Sequence, residues 1–136
     1  MSMSKQVLAR RNWLFSVTHD NFVPIINQQI FGVYNENIAQ RIGKGDRLVL
    51  YVVGSGAFQG IFEVVGDWHP GATFPFEVKI QSIVTGSVGL LSVKDSLSFV
   101  RMKNNVGLYL QGTPANHRHP ISDEDFEIIL RGIKRC

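Results

Sequence analysis

Hydrophobic and polar positions alternate from Asn12 to Thr18, with Trp13, Phe15 and Val17 on one side and Leu14, Ser16 and Thr18 on the other. That period of two predicts a β-strand. Asp20 or Asn21 then caps a short helix over 20–30, with Pro24 tolerated near its first turn. This helix ends before Gly32, and a second short one runs from Asn35 to Ile42, stopped by Gly43. A turn, Gly43-Lys44-Gly45-Asp46, feeds the run Arg47 to Val53, whose unbroken apolar character predicts a strand covered on both faces. Gly54-Ser55-Gly56 reverses the chain into an antiparallel partner, in which Phe58, Phe62 and Val64 point one way and Gln59 and Glu63 the other. After a loop over 67–73, the stretch 74–84 alternates again, with Phe76, Val78 and Ile80 inward and Glu77, Lys79 and Gln81 outward.

Further on, 92–101 reads as a short helix and 107–112 as a brief strand. Ser122 opens a terminal helix with Phe126, Ile129, Leu130 and Ile133 on its apolar face. Asp125, three residues after Ser122, comes close to a capping box. Early acids and the later Arg131 and Lys134 suit the helix dipole. The pattern contains no internal repeat, low-complexity segment or interdomain linker. It sums to an α+β fold: a small, strongly curved mixed sheet with helices packed around it.

A length of 136 residues suits one domain with a real core. No apolar run approaches the roughly 18–20 residues of a membrane helix, and the first residues lack the pattern of a signal peptide. A cytoplasmic location, with no membrane partner, is the expectation. The only cysteine is Cys136, which leaves no internal disulfide framework. The net charge of +3 is mildly basic, and its distribution says more. Basic residues cluster at Arg10-Arg11, at Arg101 and Lys103, at His117-Arg118-His119 and at Lys134-Arg135, while Asp123-Glu124-Asp125 is acidic. Basic clusters that share a face attract phosphates; apart, they are ordinary solvated surface.

Several catalytic patterns are missing. The Gly-Lys pair at 43–44 precedes a strand and lacks the following Ser or Thr of a phosphate-binding loop. Gly54-Ser55-Gly56 is a hairpin turn without the spacing of a nucleophile elbow. His117 and His119 share a side of an extended chain, but a metal site needs further ligands, and His69 before Pro70 is a loop residue. Asp20, Glu36, Glu63 and Asp67 are scattered carboxylates with no paired spacing. Nothing here compels an enzyme, a metal or a cofactor.

The order of pieces resembles the EVE domain, a PUA-like family related to YTH domains. Trp13-Leu14-Phe15 is followed by the polar turn Thr18-His19-Asp20-Asn21, then by Gly32-Val33-Tyr34 and by Gly45-Asp46-Arg47-Leu48-Val49-Leu50-Tyr51. Phe58-Gln59-Gly60-Ile61-Phe62-Glu63-Val64-Val65, Pro75-Phe76-Glu77-Val78-Lys79-Ile80 and Ile121-Ser122-Asp123-Glu124-Asp125-Phe126 complete the series. The resemblance covers residues 13–133, leaving 1–12 as an N-terminal extension and 134–136 as a C-terminal tail. It implies a twisted mixed β-barrel with short peripheral helices, and a pocket for one modified base extruded from RNA or DNA. YTH domains read N6-methyladenosine in RNA, and EVE domains are implicated in binding modified bases, including modified cytosines in DNA.

Carried onto this chain, the resemblance puts Tyr34 at an aromatic pocket wall and Asn35 beside it as a polar contact. Tyr34 stands where tryptophan is usual in the methyladenosine readers. Trp68, then Phe74, are the candidates for the second wall, and Thr18, His19 and Asn21 for polar contacts. Asn35 is equally suited to cap the following helix, and its separate donor and acceptor groups allow both roles. Arg10, Arg11, Arg101, Lys103 and Arg118 are the expected phosphate contacts. A free nucleoside or small-molecule binder, an RNA- or nucleotide-modifying enzyme using His117, Arg118 and His119, and a protein-interaction domain are the other readings. A reader of this kind acts through a separate effector protein.

Overall fold

The computed structural model describes residues 11–98 and 120–135. Arg10, Arg101, Lys103, His117, Arg118, His119, Cys136 and the expected strand at 107–112 lie outside these described residues, as does the end of the expected helix at 92–101.

Strand β1 (Asn12–Thr18) leads into helix α1 (His19–Gln28), strand β2 (Ile30–Val33) and helix α2 (Glu36–Arg41). Strands β3 (Arg47–Val53), β4 (Ala57–Val64), β5 (Phe76–Val84) and β6 (Val88–Gly89) follow. The described chain ends with a one-turn helix α3 (Leu90–Val93), a 3-10 turn (Lys94–Ser96) and helix α4 (Asp123–Arg135). The hydrogen-bonded path runs β1-β3-β4-β5-β2, with β6 beside β4. β1 lies parallel to β3, and every other pairing is antiparallel.

β3 explains why the sheet is two-faced. Leu48, Leu50 and Val52 enter one hydrophobic cluster with Trp13, Phe15, Phe31 and Phe62, together with Phe22 and Ile25 of α1. Val49 and Tyr51 enter a second with Leu14, Phe58 and Ile61, closed by Phe126, Ile129 and Ile133 of α4. The continuous apolar run is thus the signature of a strand buried on both faces. Burial pushes the Tyr51 phenol above its ordinary value of 10.0. Because the folded-state value is the higher one, the stability tied to this proton is complete below pH 10.0 and is lost as the pH rises through the folded value. Alkaline titration followed by phenolate absorbance should show one tyrosine ionising at higher pH than an exposed tyrosine does.

The structure corrects five local expectations. The N-cap of α1 is Thr18, whose Oγ1 accepts the Asn21 N–H at 3.3 Å, rather than Asp20 or Asn21. The helix stops at Gln28 because Gln29 adopts a left-handed conformation (φ 57°); Ile30–Val33 is therefore strand, paired with β5. Phe58 does not share a face with Phe62. The register between β3 and β4 slips between Val49 and Tyr51, and Gly60 adopts φ 120° at the bulge, turning Phe58 to the α4 side. The expected helix over 92–101 is broken into α3 and the 3-10 turn, and β6 before it was not anticipated. Glu77 is buried rather than solvated.

Polar ties fix the ends of the sheet. Asp46, buried in the turn before β3, accepts from Trp13 Nε1 at 3.0 Å, the Gly43 N–H at 2.9 Å and the Arg11 N–H at 3.2 Å. Asp125 caps nothing of its own helix. Its carboxylate takes the Ser98 N–H at 2.9 Å and the Ser98 hydroxyl at 2.6 Å, while Ser122 Oγ accepts the Asp125 N–H.

Candidate functional site

Gly32 is where the site begins. A β-carbon built there would lie 2.3 Å from Phe74 Cδ2, so the Phe74 ring rests directly on the glycine backbone. Only the absence of a side chain allows this approach. Phe74 in turn meets Tyr34 edge to face, with ring centroids 5.0 Å apart at 62°. Tyr34 is 73% exposed, although it directly follows the buried Val33.

Beneath these rings lies a cavity of about 520 Å³, within the size range of small-molecule sites. Its walls come from β1 (Phe15, Ser16, Val17), α1 (Asn21, Pro24, Ile25, Gln28), the segment from Ile30 to Asn35, and Thr73, Phe74 and Glu77. Phe15 and Phe31, which both line it, pack against each other with ring centroids 4.8 Å apart. β1 and β2 are the two ends of the strand path among the described residues, so the cavity sits at the seam of the curled sheet, with α1 bridging it.

Asn35 spends its Oδ1 on capping α2, accepting the Asn37 N–H at 2.7 Å. Among the described residues nothing takes up its amide NH2, so the side chain still carries donors on the cavity wall. Glu77 is 9% exposed and anchors the preceding loop. One carboxylate oxygen, Oε2, accepts the Thr73 N–H at 3.2 Å and the Phe74 N–H at 3.1 Å. Its backbone exchanges two hydrogen bonds with His69, at 2.9 and 2.8 Å. A β-carbon at Gly71 would fall within 2.0 Å of the carboxylate, so the loop closes over Glu77 only with glycine there. No lysine or arginine stands among the described lining residues.

Of the residues expected at a site, Tyr34, Asn35, Phe74 and Asn21 come together around this cavity. Thr18 and His19 are exposed at the start of α1 and do not line it. Trp68 stands elsewhere. It donates from Nε1 to the Ile42 carbonyl at 2.8 Å and packs on the first cluster, lining a separate depression with Glu36, Gln40, His69 and Pro70. Arg11 is committed to the fold: it pairs with Asp46 at 3.7 Å, donates to the Arg41 carbonyl at 2.7 Å and lies over Trp13 at 5.2 Å. The sequence reading missed Phe31, Gln28 and above all Glu77. The one signal for them was Gly32 flanked by aromatics, which marks a close approach without saying what approaches. Among the described residues no group of three or more His, Cys, Asp or Glu is placed to hold a metal ion, and no helix is long and apolar enough to cross a membrane.

Comparison with known proteins agrees with this architecture. The YTH domain of Zygosaccharomyces rouxii MRB1, solved in complex with N6-methyladenosine RNA, superposes with a TM-score of 0.63 at 16% identity, covering 93% of this chain and 86% of that one. A hypothetical protein from Leishmania major gives 0.62 at 17% identity, covering 93% and 96%. At such identities the likeness is one of fold: a curled, PUA-like half-barrel with a few short helices. In sequence, a UPF0310 protein of Pyrococcus abyssi is 30% identical over 138 residues, covering 86% of this chain and 95% of its own length. Another from Saccharolobus solfataricus is 26% identical over 141 residues, covering 90% and 94%. The profile of the EVE domain family matches residues 11–132, and the chain belongs to that family.

Proposed function

We propose that this protein is a non-catalytic nucleic-acid-binding module that receives one extruded, modified base of RNA or DNA in the cavity whose mouth is walled by Tyr34 and Phe74. The observation that carries the reading is Tyr34: a large ring left 73% exposed at the mouth of a formed cavity, beside a second aromatic. Unstacked bases are recognised in this way, by stacking on aromatic faces with polar groups at the base edge. Structural neighbours of the same fold, the YTH domains of Zygosaccharomyces rouxii MRB1 and of Pho92, were solved with N6-methyladenosine RNA and with m6A, which supports a nucleic-acid partner. Phe74 takes the second wall in preference to Trp68. The flanking phosphates fall to Arg10, Arg101, Lys103 and Arg118, since Arg11 is held by Asp46.

Fluorescence anisotropy with short labelled DNA and RNA strands at two salt concentrations tests this reading. The panel holds unmodified strands and strands with N6-methyladenine, 5-methylcytosine or 5-hydroxymethylcytosine. Tyr34→Ala should remove base preference and weaken the favoured strand by roughly 5- to 150-fold, the loss of one stacked base. Binding to all strands should fall with salt as condensed counterions are released. Salt-independent binding of a free nucleoside would favour a small-molecule binder instead. Absence of binding to every strand at low salt would remove the nucleic-acid reading.

A further inference from the structure

We propose that Glu77 makes the cavity selective for a base edge that carries an exocyclic amino group; this rests on the base-pocket reading above. Strand alternation would turn Glu77 away from the buried Val78 and into solvent, yet it is 9% exposed and lines the cavity. Its Oε2 is occupied by the Thr73 and Phe74 N–H groups. Its Oε1 has no hydrogen-bond donor among the described residues. A carboxylate offers acceptors alone, so the group that completes this one must bring a donor, and on a nucleobase edge that donor is an N–H. Asn35, which also lines the cavity, carries an NH2 donor that capping leaves uncommitted. An acceptor and a donor together match an amino group beside an unprotonated ring nitrogen, the edge of cytosine or adenine. They oppose the inverted edge of uracil or hypoxanthine, where a carbonyl oxygen would face the carboxylate.

The test uses two isosteric pairs, cytosine against uracil and adenine against hypoxanthine, each placed at one position of an otherwise identical single strand. The full-length protein should bind the amino member of the pair that fits the cavity at least tenfold more tightly than its keto partner. In Glu77→Gln the amide oxygen still accepts from Thr73 and Phe74, which a melting temperature near that of the unaltered protein would show. The amide NH2 then faces the ligand, and the amino-to-keto ratio should fall to about one or invert. A wild-type ratio of one or below overturns the proposal whatever the variant does. So does a ratio that Glu77→Gln leaves unchanged. If instead no strand shows binding that depends on Tyr34, the base-pocket reading itself has failed, and this proposal falls with it.

Discussion

Replacing Asp46 with alanine is expected to cost about 3 kcal/mol of folding stability. Its carboxylate is 4% exposed by residue and collects three hydrogen bonds from two separated parts of the chain. Removing it leaves the buried Trp13 indole N–H without an acceptor, a loss of about 1–3 kcal/mol where water cannot replace the partner, and frees the N–H of the exposed Gly43, which water can partly satisfy. The Arg11 guanidinium contributes less, because its side chain is 49% exposed and water screens the pair. Against a typical domain stability of about 5–15 kcal/mol the effect is large. In urea it should lower the unfolding midpoint by roughly 1–2 M at an unchanged slope. Asp46→Asn, which keeps one acceptor, should lose about half as much. A midpoint that hardly moves in the alanine variant would mean that β1 is not tied to the 43–46 turn through this group.

Gly32→Ala should both destabilise the fold and weaken ligand binding, and both effects should depend on Phe74. The new methyl would lie 2.3–2.8 Å from three atoms of the Phe74 side chain, and no small adjustment of a ring clears that overlap. Overpacking of this kind costs about 1–3 kcal/mol. The displaced ring also leaves the cavity wall, at roughly 1–3 kcal/mol for a lost stacking face. A double-mutant cycle separates this from a backbone effect. In a Phe74→Ala background the ring atoms are gone and only the Phe74 β-carbon, 2.8 Å from the new methyl, remains, so adding Gly32→Ala should cost clearly less in urea unfolding than it does in the unaltered protein. Full additivity would show that Gly32 is required for its backbone rather than for the ring above it.

The legible parts of this chain were those where one periodicity has one cause. β1, β3 and β5 follow from alternation or from an unbroken apolar run, and α4 from its stripe of Phe126, Ile129 and Ile133. β2 was hidden because four residues containing a glycine, entered through a left-handed glutamine, look like the tail of a helix. The bulge at Gly60 reversed the facing of Phe58, since one extra residue inverts every later position of a strand. Site residues divide along the same line. Tyr34 and Asn35, which line the cavity, stand out in the sequence through the family pattern that follows Gly32. Trp68 and Phe74 stand in one loop, and composition alone cannot tell which of two aromatics turns toward a cavity. Glu77 was misread because alternation assumes water on the outer face, whereas here the loop folds back over it and closes with Gly71.

The seam between β1 and β2 has a consequence for how occupancy and folding are linked. Because the cavity spans the two ends of one curled sheet, which backbone pairing leaves unjoined among the described residues, an occupant in contact with both would add to the link that Phe15 and Phe31 already make by packing on each other. By mass action a ligand at a hundred times its dissociation constant adds about 2.7 kcal/mol to the folded state. A ligand bound at this seam should therefore be detected as a rise in resistance to unfolding as well as by its binding.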